Sequence, residues 1–274
     1  MSGRARLRRG VGREDLVKSN GVGNPIVRFT KRYVTAAAGA LYAFTLGVGD
    51  ARNRRLIQQL ATRFGHRDGE APRLPVVPID RVTSPNTQVA LPEPIAADGN
   101  VTLLELLVLS RLVRERRPRS LFEIGTFDGR TTLALAMNAE ADAIVYTLDL
   151  PQHASTDLGI ERAERAFVDK PRSGARFLNT DAATKIRQLY GDSATFDFTK
   201  HVADFVFVDG SHAYEYVLSD SERALALLQG GAGTIVWHDY GEWTGVTRAL
   251  DKLATTDARF ANLRTIEGTT LAIL

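Results

Sequence analysis

The chain contains no cysteine. Disulfides, thiolate metal sites and a cysteine nucleophile are therefore excluded, although the absence does not by itself fix a compartment. There is no G-x-G-x-x-G run, so the glycine fingerprint of a dinucleotide site is missing and an NAD-dependent oxidoreductase is disfavoured. Residues 1–24 lack the apolar core of a secretory signal and are not read as one. The apolar run from Tyr33 to Gly49 is shorter than the roughly 20 residues a bilayer span needs and is interrupted by Thr35, Gly39, Thr45 and Gly47. No RNA- or DNA-binding motif accompanies the cluster Arg114, Arg116, Arg117 and Arg119. That cluster reads as a solvated helix end favoured by the helix dipole, and no nucleic-acid partner is expected.

At 274 residues and 44% hydrophobic, the chain can bury a sizeable core. Its net charge of +3 hides an asymmetry. Residues 1–68 hold 14 Lys/Arg against 4 Asp/Glu, and the remainder holds 21 against 28. A basic head could be a solvated, partly disordered arm, or could meet nucleic acid, an anionic membrane surface or an acidic partner. The Tyr33–Gly49 run predicts a helix packed on the main domain or on a second subunit, with interfacial membrane contact as the other reading. Asp50 could cap a following helix, Ala51–Phe64. Prolines 72, 75, 78, 85, 92 and 94 then mark an extended linker with a short strand near Leu74–Ile79. The division expected is a helical, proline-rich extension over 1–99 and a catalytic domain over 100–274.

The stretch Ser120-Leu121-Phe122-Glu123-Ile124-Gly125-Thr126-Phe127-Asp128-Gly129-Arg130-Thr131-Thr132 organises that domain. It reads as a strand, a tight glycine turn and a helix N-terminus, the crevice at which open α/β sheets bind ligands. Glu123 is a poor neighbour for a pyrophosphate and better suited to a cation. A second strand, Ala143–Asp149, follows about 25 residues on and ends in an acid able to hold two ribose hydroxyls. Ala175–Asn179 reads as a third strand and Ala182–Tyr190 as a helix, with Gly159–Phe167 an amphipathic helix before them. Two apolar strands, Ala203–Val208 and Gly233–Trp237, end in Asp209-Gly210-Ser211-His212 and His238-Asp239-Tyr240. Paired carboxylates at one sheet edge suit a hard divalent cation. Glu267-Gly268 marks a terminal hairpin.

The motif E-I-G-T-F-D-G-R-T-T resembles that of class I S-adenosylmethionine (SAM)-dependent methyltransferases, in the small-molecule O-methyltransferase branch that includes catechol and macrolide-sugar enzymes. The resemblance covers residues 100–274. It implies a doubly wound, mostly parallel seven-stranded Rossmann-like α/β sheet with a C-terminal antiparallel hairpin, preceded by a helical extension. It implies SAM binding by Glu123, Gly125, Thr126, Phe127, Gly129, Thr131, Asp149, Asp181 and Asp209, with Asp149 on the ribose and Asp181 on the adenine. It further implies Mg²⁺ on Asp209 and Asp239, with His212 as base at an unperturbed imidazole pKa. His238 stands where the macrolide-sugar enzymes have a carboxylate, so it is either a metal ligand or a group acting on the substrate. The expected reaction is methyl transfer to a hydroxyl of a small molecule, such as a sugar or glycosylated natural product, in a cytoplasmic homo-oligomer, with peripheral membrane association through the N-terminal region as the alternative. Two rivals remain at this point. One is an enzyme of the cephalosporin-hydroxylase-like or rhamnosyl-methyltransferase type acting on a glycolipid. The other is a non-catalytic SAM-binding scaffold.

Overall fold

In the computed structural model the described residues are 25–50, 53, 57, 73–93, 99–160, 164–170, 172–230 and 233–274. The chain divides into two compact units, Met1–Arg67 and Asp68–Leu274. In the first, helix α1 spans Pro25–Phe44 and is followed by a 3-10 turn at Leu46–Gly49. It begins eight residues earlier than the apolar run alone suggests, with proline as its first residue, where the missing N–H costs nothing. Most of the expected helix Ala51–Phe64 lies outside the described residues. Among the described residues no helix is long and apolar enough to cross a membrane.

The second unit is one eight-stranded sheet. Its strands are β1 (Val76–Val77), β2 (Ser120–Ile124), β3 (Ile144–Asp149), β4 (Ile186–Tyr190), β5 (Phe205–Val208), β6 (Thr234–Trp237), β7 (Arg264–Ile266) and β8 (Ala272–Ile273). They lie in the order β1-β7-β8-β6-β5-β2-β3-β4. Only β8 runs antiparallel to its neighbours, β6 and β7. The order reverses between β2 and β5, which makes the carboxyl edge there a binding crevice. Seven strands and the terminal hairpin are present as expected in number, one of them at a different place in the sequence, and β1 is an eighth strand drawn from the proline-rich stretch. That stretch therefore belongs to the sheet unit, although the sequence reading set the boundary at residue 100.

Both faces of the sheet are covered. On β5, Phe205 and Phe207 pack with Leu106, Leu109 and Leu112 of α3 (Leu103–Arg116) and with Leu135 of α4 (Arg130–Asn138). Val206 and Val208 pack on the other face with Val217 and Ala224 of α6 (Tyr214–Leu227) and Leu250 of α7 (Thr244–Thr256). Alternation by two with both sets apolar is what a strand buried on both faces requires. Among the described residues of this unit the remaining helices are short: α2 (Ile79–Val82) and α5 (Arg165–Val168).

Two sequence expectations fail between β3 and β5. Ala175–Asn179 is a run of turns, and the third parallel strand is β4, inside the stretch expected to be a helix. Ala182, Ala183 and Lys185 give that stretch a helical start, but only a 3-10 turn over Asp181–Lys185 forms. Pairing with β3 then outweighs local propensity. The turns at 174–177 are needed elsewhere: Phe177 packs against the position where Gly129 would carry a Cβ, 2.7 Å away. Of the expected helix Gly159–Phe167, the described residues are helical only from Arg165.

Candidate active site

Register brings the site together. Ile124, Leu148, Val208 and Trp237 lie side by side across β2, β3, β5 and β6. The next residue on each strand extends the ladder: Gly125 N–H donates to Leu148 O, Asp209 N–H to Ile124 O and His238 N–H to Val208 O, at 2.8, 2.8 and 3.0 Å. Gly125, Asp149, Asp209 and His238 therefore emerge at one carboxyl edge.

Gly125 has φ +100°, and an added Cβ would lie 1.9 Å from the Asp209 carbonyl oxygen. Only glycine fits there. Phe127 is also left-handed at φ +49°, and Gly129 caps α4 at φ +86°. The turn thus presents backbone N–H groups at a helix N-terminus. Thr131 is buried in the first turn of α4, and Thr126 shares a 2.6 Å hydrogen bond with Thr147. Glu123 lies beneath the turn, fully buried, and accepts hydrogen bonds from the Thr132 and Thr147 hydroxyls. Its other carboxylate oxygen has no hydrogen-bond partner among the described residues. Burial pushes its pKa up to about 8, against the pull of the two threonines, and Asp209 and Asp149 add to the rise. At neutral pH it is a neutral acid, not the exposed anion the sequence suggested.

Asp149 ends β3 and is nearly buried. It accepts from the Ser173 hydroxyl and pairs with Lys170 at 2.7 Å. Asp181 is a correction. With β4 at 186–190, Asp181 precedes the strand and lies at its amino end, away from the crevice. The acid just past the carboxyl end of β4 is Asp192, which accepts from the Tyr216 hydroxyl at 2.8 Å and from the Asp157 and Ala194 N–H groups.

On the other side of Asp209 stands a cluster of carboxylates and imidazoles. His238 Nδ1 lies 3.1 Å from both Asp209 Oδ1 and Asp239 Oδ2. Ligand atoms of Asp209, His238 and Asp239 all fall within 4.8 Å of one another, a set able to hold a metal ion. Two carboxylates and an imidazole suit Mg²⁺ less well than Mn²⁺. Asp239 reaches the cluster from a left-handed backbone, φ +66°. Aspartate is among the few residues that tolerate this. His238 Nε2 lies 3.4 Å from Glu105 Oε2. Burial would lower the His238 pKa, but Asp239 and Asp209 outweigh it and the pKa is raised.

His212 is held from both sides. Its Nδ1 is 2.8 Å from Glu164 Oε1 and its Nε2 is 2.8 Å from Asp239 Oδ2. Its ring stacks on Trp243 with centroids 4.1 Å apart and planes 8° from parallel. Burial works against protonation, but the two carboxylates prevail and raise its pKa to about 10. The expectation of an unperturbed imidazole therefore does not hold: in this arrangement the two carboxylates favour the protonated ring. The sequence reading missed Glu105 and Glu164. Glu105 carries a legible signal, the Thr102-x-x-Glu105 capping box, but for helix initiation rather than for the site. Glu164 carries none.

An open, mostly parallel sheet with helices on both faces, a glycine turn at the strand-order reversal and acids at the ends of the next strands define the class I SAM-dependent methyltransferase fold. Residues 122–240 match the family model described as a methyltransferase domain. Among curated proteins, tapetum-specific methyltransferase 1 of Arabidopsis thaliana is 31% identical over 150 residues, 54% of this chain and 58% of that protein. A caffeoyl-CoA O-methyltransferase of Stellaria longipes is 28% identical over 138 residues, 50% of this chain and 52% of that protein. The chain thus spans little more than half the length of these relatives. Among solved structures, the O-methyltransferase TomG of Streptomyces achromogenes, in complex with SAM, aligns with a TM-score of 0.47 and 20% identity, covering 64% of this chain and 81% of its own.

Proposed function

We propose that the protein transfers a methyl group from SAM to one hydroxyl of a small molecule bearing two adjacent hydroxyls, with a divalent cation held by Asp209, His238 and Asp239. The observation that carries this reading is the Asp209–His238–Asp239 set, within 4.8 Å, one strand away from the Gly125 turn. The relatives' names point the same way, one of them being a caffeoyl-CoA O-methyltransferase. Phenolic and sugar diols both satisfy the geometry, because adjacent oxygens can chelate one cation.

The residues present fit both bound groups. The Gly125 turn leaves backbone where a Cβ would clash, Glu123 keeps one oxygen without a hydrogen-bond partner among the described residues, and the three ligand atoms converge. Gly125, Thr126, Phe127, Gly129 and Thr131 would hold the cofactor's amino-acid end and Asp149 its ribose. SAM, when bound, would supply an electrophilic methyl group and a neutral thioether leaving group, and a cation held by Asp209, His238 and Asp239 would supply Lewis-acid polarisation of the acceptor oxygen. His212, once its Nε2 proton has passed to solvent, would take the acceptor's proton at that nitrogen, which faces the cluster. Glu164 accepts from the His212 backbone N–H and the Ser211 hydroxyl, and its Oε1 lies 2.8 Å from Nδ1 without meeting it in hydrogen-bond geometry, so it favours a proton there through its charge. Trp243 holds the ring flat from one side.

The test is calorimetric titration with S-adenosylhomocysteine on wild type and Asp149→Ala, followed by methyl-transfer assays on catechol-type and sugar-diol acceptors with and without Mg²⁺ or Mn²⁺. Micromolar binding lost in the variant, with metal-stimulated transfer, is the expected result. Binding without transfer in any metal condition would leave the SAM-binding scaffold as the better account, and no binding in either metal condition would overturn both.

A further inference from the structure

Glu105 is doing more than starting a helix. It sits at the third position of α3, 2% exposed at its side chain and outside the segment that matches the family model. A capping box needs one carboxylate oxygen on the N-cap N–H. Here Oε2 accepts from both Thr102 N–H and Thr102 Oγ1–H, at 2.8 and 2.7 Å. Oε1 accepts from Thr270 N–H and Thr270 Oγ1–H, at 2.7 and 2.8 Å. Four short bonds to two backbone-anchored threonines leave the carboxylate no freedom to turn.

This fixed anion meets two of the three candidate metal ligands. His238 Nε2 lies 3.4 Å from Oε2, on the side of the ring opposite Nδ1 and the Asp209–Asp239 pair. Asp239 is reached through Thr270, whose Oγ1 accepts from Asp239 N–H at 3.3 Å while donating to Glu105. A metal-bound imidazole needs its proton on the non-ligating nitrogen and a partner to hold it there. We propose that Glu105 is the positioning residue of the metal site: it keeps the His238 proton on Nε2, aims Nδ1 at the point between Asp209 and Asp239, and through Thr270 braces the left-handed backbone of Asp239. The proposal rests on the metal reading above.

Two variants separate positioning from helix stability. Glu105→Gln keeps a capping acceptor but removes the anion behind His238. Thr102→Ala removes the side-chain half of the cap and one of the four bonds to Glu105, and leaves the Thr102 N–H, Thr270 and His238 contacts in place. Mn²⁺ affinity is measured calorimetrically on both, on wild type and on Asp209→Asn. The imidazole tautomer is read from long-range proton–nitrogen spectra of the Mg²⁺-loaded protein. Glu105→Gln should raise the Mn²⁺ Kd about 10–100-fold and mix the His238 tautomers. Thr102→Ala should lower the melting temperature, change the Kd less than about twofold and keep the proton on Nε2, since the cap is worth only about 1 kcal/mol. Glu105→Gln binding Mn²⁺ like wild type, or Thr102→Ala losing as much affinity, overturns the positioning role and leaves the metal reading standing. Wild type failing to bind Mn²⁺ in a way that needs Asp209 overturns both.

Discussion

The two halves of the crevice are built from different material. The half proposed to hold the cofactor, around Gly125 and Gly129, is made of backbone: positive φ angles, a carbonyl where a Cβ would be, and N–H groups at the start of a helix. The half proposed to hold the acceptor, around Asp209 and His238, is made of side chains whose partners come from far along the chain. Glu105 lies 133 residues from His238, and Glu164 lies 48 residues from His212. A backbone site depends on local residue types and cannot be adjusted. A side-chain site depends on long-range packing and sets its charge through its neighbours.

The sharpest way to break the cofactor half is Gly125→Ala. The added carbon would meet the Asp209 carbonyl at 1.9 Å in a backbone region closed to alanine. A destabilisation on the order of 3 kcal/mol is expected, with loss of S-adenosylhomocysteine binding by calorimetry. A variant that binds normally would mean the turn is not the cofactor cradle. Breaking the acceptor half should leave the cofactor half standing. Asp209→Asn should reduce metal-stimulated transfer by about 10³-fold, several kcal/mol of lost charge stabilisation. Cofactor affinity in the same calorimeter should change less than about threefold.

The halves should also titrate differently. Glu123 keeps its proton in the folded state up to about 8, whereas an unfolded glutamate loses it near 4.5. Between those values the folded state binds more protons, so this group's contribution to stability falls as pH rises. His212, raised from 6.5 to about 10, gives stability that is complete below 6.5 and lost as pH climbs through 10. The cofactor half therefore weakens first. Glu123→Gln should flatten the stability curve between pH 5 and 8 and gain on the order of 1–2 kcal/mol over wild type at pH 8, read by urea unfolding across pH. An unchanged slope would mean that Glu123 is ionised in the fold.

The same contrast explains what was legible in the sequence. The parallel strands of the first and fourth βα units, the glycine turn, Asp149 and the Asp209–His238–Asp239 set could all be read, because each rests on a short apolar run ending in chemistry. The charge state of His212 could not, because it depends on Glu164, whose place in the sequence carries no signal. Nor could β4. Its residues, Ile186-Arg187-Gln188-Leu189-Tyr190, form an edge strand with only Ile186 buried, so they show no continuous apolar run.

That misplaced strand yields the smallest prediction and the cleanest discrimination. If residues 175–179 were the strand, Asp181 would face the adenine and Asp181→Ala would weaken cofactor binding. With β4 at 186–190, Asp181 sits at the opposite edge, and the substitution should cost within about 0.5 kcal/mol in both stability and affinity, as surface changes do. Asp192 takes over the crevice position. It already holds the Tyr216 hydroxyl, and burial together with this carboxylate raises the tyrosine's pKa. Asp192→Ala should therefore weaken S-adenosylhomocysteine binding by about tenfold, the 1.4 kcal/mol of one hydrogen bond to a charged group. The reverse ranking of the two variants would mean that the chain crosses this edge of the sheet in the order the sequence first suggested, with the turns at 174–177 no longer free to pack Phe177 against Gly129.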